Sequence, residues 1–135
     1  MSSEKPKPLP LAMAVCDAVI DDRITGKKSL IGIFNNIAAI DFPCRHQALY
    51  VYCVLTEGIG KYEGSLRCTH LQTGKSVISL NGPIQFPNPL ATVEFIFEIK
   101  NMTFEQEGTY LFELYCDSQP VISRKINVSK AAQKQ

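Results

Sequence analysis

A threonine–glycine–lysine triplet occurs twice in this chain, in "ITGKKSL" and again in "QTGKSVI". Gly-Lys-Ser behind a polar run is how a phosphate-binding loop ends, so nucleotide chemistry is the first possibility to weigh. Such a loop reads G-x-x-x-x-G-K-[ST] and sits between a strand and a helix, whose N-terminus meets the phosphates. In the first copy Lys28 occupies the Ser/Thr position and Asp21 replaces the leading glycine. In the second, Gly74, Lys75 and Ser76 fit, but Thr69 stands at the leading glycine. A strand-like run follows each copy. Both triplets are therefore expected to be hairpin turns, with glycine supplying a positive φ.

Other residues invite chemistry. Cys68 and His70 are two apart, as are Cys44 and His46, and either pair suggests a cysteine nucleophile with its base. Alternation puts Cys68 in a core, however, and leaves His70 a partly buried polar residue near a sheet end. Asp17, Asp21 and Asp22 cluster at one hairpin, where loop carboxylates of a sandwich can hold calcium, although turn-forming aspartates look the same. No serine elbow, H-E-x-x-H motif or convincing carboxylate pair is present. The residues predict no catalytic group, no metal and no cofactor. A small-ligand or calcium-binding sandwich and a cysteine-dependent enzyme remain the two alternatives to a binding protein.

The elements that carry these residues are strands. Period-2 alternation broken by Gly, Pro and Asn dominates, with almost no helical period. Strands are expected over 11–20, 29–40, 48–56, 62–71, 76–80, 90–100, 109–117 and 121–128. In the sixth, Ala91, Val93, Phe95, Phe97 and Ile99 share one side, while Thr92, Glu94, Glu98 and Lys100 share the other. The second, "SLIGIFNNIAAI", is apolar on both sides and is expected to lie centrally. "NGPIQFPNP" reads as a proline-rich crossing that ends the fifth strand. Residues 1–10 and 129–135 read as flexible tails around one domain over 11–128.

If "EGIGK" closes a hairpin between the third and fourth strands, Tyr50 lies beside Thr69 and Tyr52 beside Arg67. Tyrosine and arginine are enriched at protein interfaces, since they combine contact area with a polar tip. Tyr50, Tyr52 and Arg67 are thus the candidate protein-binding residues, on one sheet face.

Composition narrows the function classes. The 135 residues carry 14 Lys and Arg against 13 Asp and Glu, a formal charge of +1. That balance gives no electrostatic case for nucleic acid or an anionic membrane. No apolar run approaches the ~20 residues of a membrane helix. "MSSEKPKP" followed by "LPLAMAVC" imitates an export signal loosely, but the apolar stretch is short and Val15 stands where a small residue should precede the cysteine. Five cysteines at irregular spacing form neither C-x-x-C nor a zinc pattern, and read as reduced thiols of a cytoplasmic protein.

"EQEGTYLFELYCD" resembles the tyrosine corner of immunoglobulin-like domains through Glu107, Gly108 and Tyr110. Phe112 stands where an antibody domain has its second core cysteine, and the chain has no tryptophan, so only the general sandwich is implied. A broader resemblance covers most of the chain. "CDAVIDDRITGKKSLIGIFNNI", "ALYVYCVLTEGIGKY", "NPLATVEFIFEI" and "GTYLFELYCD" are similar to an uncharacterised family of small bacterial proteins. That likeness implies a bacterial source and a β-sandwich, and carries over no site residues. The expected molecule is an all-β, antiparallel, immunoglobulin-like sandwich of seven or eight strands. Its expected role is non-enzymatic: a protein-binding or assembly module, using a sheet face, an edge strand or end loops, with a protein partner or a second copy of itself.

Overall fold

In the computed structural model, which describes residues 5–131, nine strands form two packed sheets. They are β1 (Leu9–Asp21), β2 (Lys28–Ile33), β3 (Asn36–Ala39), β4 (Cys44–Thr56), β5 (Gly60–His70), β6 (Ser76–Phe86), β7 (Val93–Phe104), β8 (Gly108–Cys116) and β9 (Gln119–Lys130). One sheet runs β2-β1-β4-β7 and the other β3-β9-β8-β5-β6. All pairings are antiparallel except β3 with β9. The alternation seen in the sequence explains the layers. Leu49, Val51, Cys53 and Leu55 of β4 meet Leu66 and Cys68 of β5 and Phe112 and Leu114 of β8 in one dry cluster. Each large side chain fully buried there contributes roughly 1.5–3 kcal/mol.

The two threonine–glycine–lysine turns are hairpins of one construction, β1–β2 and β5–β6. Asp22 N–H donates to the Lys27 carbonyl and Gly26 N–H to the Asp22 carbonyl; His70 with Lys75 and Gly74 with His70 repeat the pattern. Gly26 and Gly74 take φ of 73° and 74°. The threonine hydroxyl accepts the following lysine's N–H at 3.2 Å and 3.3 Å. No phosphate loop exists at either place, because each glycine leads straight into a strand.

Several expectations need correction. The predicted second strand divides at Phe34–Asn35 into two strands, raising the count to nine, and neither lies centrally. β2 is an edge of the first sheet and β3 an edge of the second. Gly32 (φ 70°) sits opposite Asp17, where an added Cβ would lie 2.6 Å from the Asp17 carboxylate. Beyond it Phe34 N–H donates to Val15 of the first sheet, and the Asn35 carbonyl accepts from Asn127 of the second. The chain changes sheets within two residues.

"EGIGK" likewise makes an arch between sheets, not a hairpin. β4 pairs with β1 and β7, while β5 pairs with β6 and β8. Glu57 and Gly60 take positive φ, and a Cβ on Gly58 would lie 2.3 Å from the Phe86 ring. Tyr62 fastens the arch from below: its hydroxyl accepts from Ile59 N–H at 3.0 Å and donates to the Pro6 carbonyl at 2.7 Å. "NGPIQF" continues β6 as far as Phe86, since an edge strand has one side on which Pro83 needs no N–H.

The supposed N-terminal tail is held from Lys5 onward. Lys5 pairs with Asp117 at 2.8 Å and lies 4.4 Å from the centre of the Tyr62 ring, Pro8 is fully buried, and β1 begins at Leu9. At the other end β9 reaches Lys130. The rest of the two predicted tails, residues 1–4 and 132–135, lies outside the described residues.

Candidate functional site

The split between β4 and β5 separates the three candidate binding residues. Leu49, Val51 and Cys53 point into the core, so Tyr50 and Tyr52 point away from it, on the outer face of the four-stranded sheet. Each hydroxyl is held by the acidic edge strand: Tyr50 donates to Glu98 at 2.8 Å and Tyr52 to Glu94. The Tyr52 phenol is pushed up to about 12, by burial first and by Glu94 second. Arg67 lies on the opposite outer face of the molecule. Its guanidinium stacks 4.1 Å from the centre of the Tyr115 ring, and its Nε donates to Ser65 Oγ at 3.4 Å. That neighbourhood is polar, with Glu113 directly across from Arg67.

The tyrosines belong to a larger apolar surface. In register, Ala14 lies beside Tyr52 and Cys16 beside Tyr50, these tyrosines meet Ile96 and Glu98 on their other side, and Ile31 lies beside Ala18. The outward positions of β1 from Ala12 to Ile20 are thus alanine, alanine, cysteine, alanine and isoleucine. The outer face of an antiparallel sheet ordinarily turns polar side chains to water. Here Ile20, Ile31 and Ile33 remain 50%, 48% and 56% exposed. Cys16 is buried yet stands apart from the core cluster, shielded by its neighbours on this outer face. Burial raises its thiol pKa. Charged groups lie at the β7 margin, where Lys100 approaches Glu98 at 3.7 Å, and Ser29 of β2 stands beside Ile20.

Ile20, Ile31 and Ile33 were missed by sequence reasoning. The signal of Ile31 and Ile33 was present in the doubly apolar run "SLIGIFNNIAAI", which Ile20 precedes. Such a run marks a central strand or an edge strand with an apolar outer face, and the pattern is the same for both.

The nucleophile pair is built for structure. Burial pushes the Cys68 thiol up to about 12, away from thiolate character. His70 is buried, with both nitrogens occupied: Nε2 donates to the Glu107 carbonyl at 2.8 Å, and Nδ1 lies 2.7 Å from Thr73 Oγ1. It fastens the β5–β6 turn to the β7–β8 loop. Cys44 packs against the core, while His46 meets Asp17 at 3.2 Å and lies 5.4 Å from the Phe34 ring. The three aspartates each have other work. Asp17 faces His46 and Asp21 pairs with Lys28 at 2.9 Å. Asp22 accepts the N–H groups of Ile24 and Thr25, which hold its carboxyl below the usual range. Among the described residues no three His, Cys, Asp or Glu side chains gather as a metal site.

A cavity of about 570 Å³ opens beside β5 and β6, lined by Lys61, Tyr62, Glu63, Asn81, Pro83 and Asp117. Its best-placed anion is already used: Asp117 is paired with Lys5 and accepts the Glu63 N–H at 2.8 Å, and both contacts lower its pKa. No helix among the described residues is long and apolar enough to cross a membrane.

No curated protein matches this chain. A family of unknown function (DUF6941) matches residues 11–129, from within β1 nearly to the end of β9, and the chain belongs to that family.

Proposed function

We propose that this protein is a non-enzymatic binding or assembly module, and that it docks a protein partner on the outer face of its four-stranded sheet. One observation carries the reading: the outward side of β1 is apolar from Ala12 to Ile20 and is continued by half-exposed Ile31 and Ile33 on β2. Contiguous exposed apolar surface rimmed by polar groups marks interaction sites. Tyr50 and Tyr52 supply large rings whose hydroxyls are already satisfied by Glu98 and Glu94. The partner therefore need present no polar group to them, and the face favours an apolar counterpart. Arg67 takes no part, being on the far side of the sandwich.

The five thiols, all unpaired, favour a reducing cytoplasm, in keeping with a bacterial cytoplasmic protein. An immunoglobulin-like kinship is supported by the Tyr110 hydroxyl, which donates back to the Gln106 carbonyl at 2.5 Å as a tyrosine corner does.

The test is affinity capture of the tagged protein from a lysate of its own organism, compared with two folded variants. Ile31→Glu with Ile33→Glu charges the apolar face; Arg67→Glu alters the opposite one. A bound protein lost only in the first variant supports the reading. Capture unaffected by the first variant, or lost only in the second, overturns it.

A further inference from the structure

We infer that the bare side of β7 pairs with β7 of a second copy of the chain, antiparallel across a two-fold axis, so that the two four-stranded sheets join edge to edge. This contact lies at the opposite margin of the sheet from Ile31 and Ile33 and is independent of the docking face. Four strands are sheet edges: β2, β3, β6 and β7. An edge exposes a row of unpaired N–H and C=O groups, and proteins blunt it with short strands or proline. β2 has six residues, β3 has four, and β6 carries Pro83. β7 runs twelve residues with neither proline nor glycine. Among the described residues no strand pairs with its far side. Its inward side chains record the gap. Val51 and Cys53 of β4 are fully buried, but Phe97 and Phe95, their neighbours in register on β7, are only half-buried. A cleft of about 390 Å³ opens between Val77 and Ile78 of β6 and Ile99 and Met102 of β7, so the second sheet does not cover the edge there. What satisfies such a row of backbone groups is another extended strand.

The charges of β7 favour a copy of itself and fix the register. Side chains keep to their own face when the two-fold axis stands perpendicular to the sheet at one residue. With the axis at Phe97, Glu94 of each copy meets Lys100 of the other, Phe95 meets Ile99, and Phe97 meets Phe97. Ile96 lies beside Glu98, whose carboxylate the Tyr50 hydroxyl already holds on the water side. Opposite charges directly across a ladder stabilise it and like charges oppose it. An axis at Ile96 would set Glu94 against Glu98, and one at Glu98 would set that carboxylate against itself. At Phe95 only residues 93–97 would pair. At Ile99 the left-handed Asn101, with φ of 54°, would fall inside the paired stretch. The Phe97 register pairs residues 93–101 and leaves Asn101 at its end.

Sedimentation equilibrium of the full chain over a range of concentrations tests this. A monomer–dimer equilibrium is expected. Glu94→Lys and Lys100→Glu, both at exposed positions, should each weaken it ~30-fold, because two attractive pairs become two repulsive ones. An equimolar mixture of the two variants should dimerise as the wild type does, since each reversed charge then meets its opposite. If a reversed variant fails to fold, Glu94→Gln and Lys100→Gln take their place, at ~5-fold each, with no recovery on mixing. Ile31→Glu with Ile33→Glu, on the other edge of the sheet, should leave the dimer intact. A wild-type chain that stays monomeric refutes the second copy. Folded charge-reversed variants that dimerise like the wild type, or that do not recover when mixed, refute the Phe97 register. A dimer lost in the folded Ile31 and Ile33 variant refutes the edge contact.

Discussion

Replacing Gly108 by alanine should show what holds the His70 end of the sandwich together. Gly108 opens β8 with φ of 147°, a conformation that side chains rarely adopt. An added Cβ would lie 2.3 Å from His70 Nε2 and 2.5 Å from Gln72 Oε1. Both atoms make hydrogen bonds across the same junction, His70 to the Glu107 carbonyl and Gln72 Oε1 from the Thr109 N–H at 3.0 Å. The methyl group must therefore displace two side chains as well as strain the backbone. Strain of this kind costs ~1–3 kcal/mol. Each broken bond adds ~1 kcal/mol, so the total is about 4 kcal/mol. Gly74→Ala is the matched control. It has a positive φ of 74° and nothing within 4 Å of the added Cβ, so backbone strain alone acts there. Its cost is ~1–2 kcal/mol. Urea unfolding at equilibrium measures both, and the Gly108 variant should lose at least twice as much stability as the Gly74 variant. Equal losses would refute the reasoning that His70 is a structural fastener wedged against Gly108.

Two further predictions follow from the core. Burial pushes the Cys53 and Cys68 thiols up to about 12 and Cys116 up to about 11, from an ordinary value of 9.0. The neutral thiol is the form the fold stabilises. Stability is thus complete below pH 9.0 and falls as pH rises through the shifted values, which urea midpoints across that window should record; midpoints that stay flat to the top of it would contradict this. At the arch, Gly58→Ala would drive a Cβ to 2.3 Å from the Phe86 ring, itself packed edge-on against Tyr62 at 5.6 Å. We expect a loss of ~2–3 kcal/mol, of the order of core overpacking, by the same assay, and a neutral result would mean that the arch moves freely away from Phe86.

The strands were legible in the sequence because β4, β7 and β8 alternate cleanly. Leu49, Val51 and Cys53 on β4, and Phe112 and Leu114 on β8, announce a core face without any knowledge of their partners. Pairing was not legible. β4 and β5 each present one apolar side, and that requirement is met equally by a hairpin and by an arch joining two sheets. What decides for the arch is tertiary: Gly58 closes on Phe86, and the Tyr62 hydroxyl holds Ile59 and Pro6. The same ambiguity divided the candidate site. Tyr50 and Tyr52 were correctly placed on one outward face, but Arg67 reached them only through a hairpin that does not form. The isoleucines that complete the apolar surface come from β2, whose two-sided hydrophobicity reads as central burial when no sheet order is known. The turns were the most readable feature, since Thr-Gly-Lys between two alternating runs carries its own backbone geometry.

The central claim is that the outer face of the four-stranded sheet is covered when the protein is at work. An Ile31→Cys variant puts a thiol at a half-exposed position of that face, and Arg67→Cys puts one on the opposite side. Labelling with a small alkylating reagent is then compared between dilute purified protein and intact cells of the source organism. The docking account predicts that the thiol at position 31 reacts readily in dilute solution and is protected in cells, while the thiol at position 67 reacts in both. Equal labelling of position 31 in the two settings, with the fold intact, would contradict it.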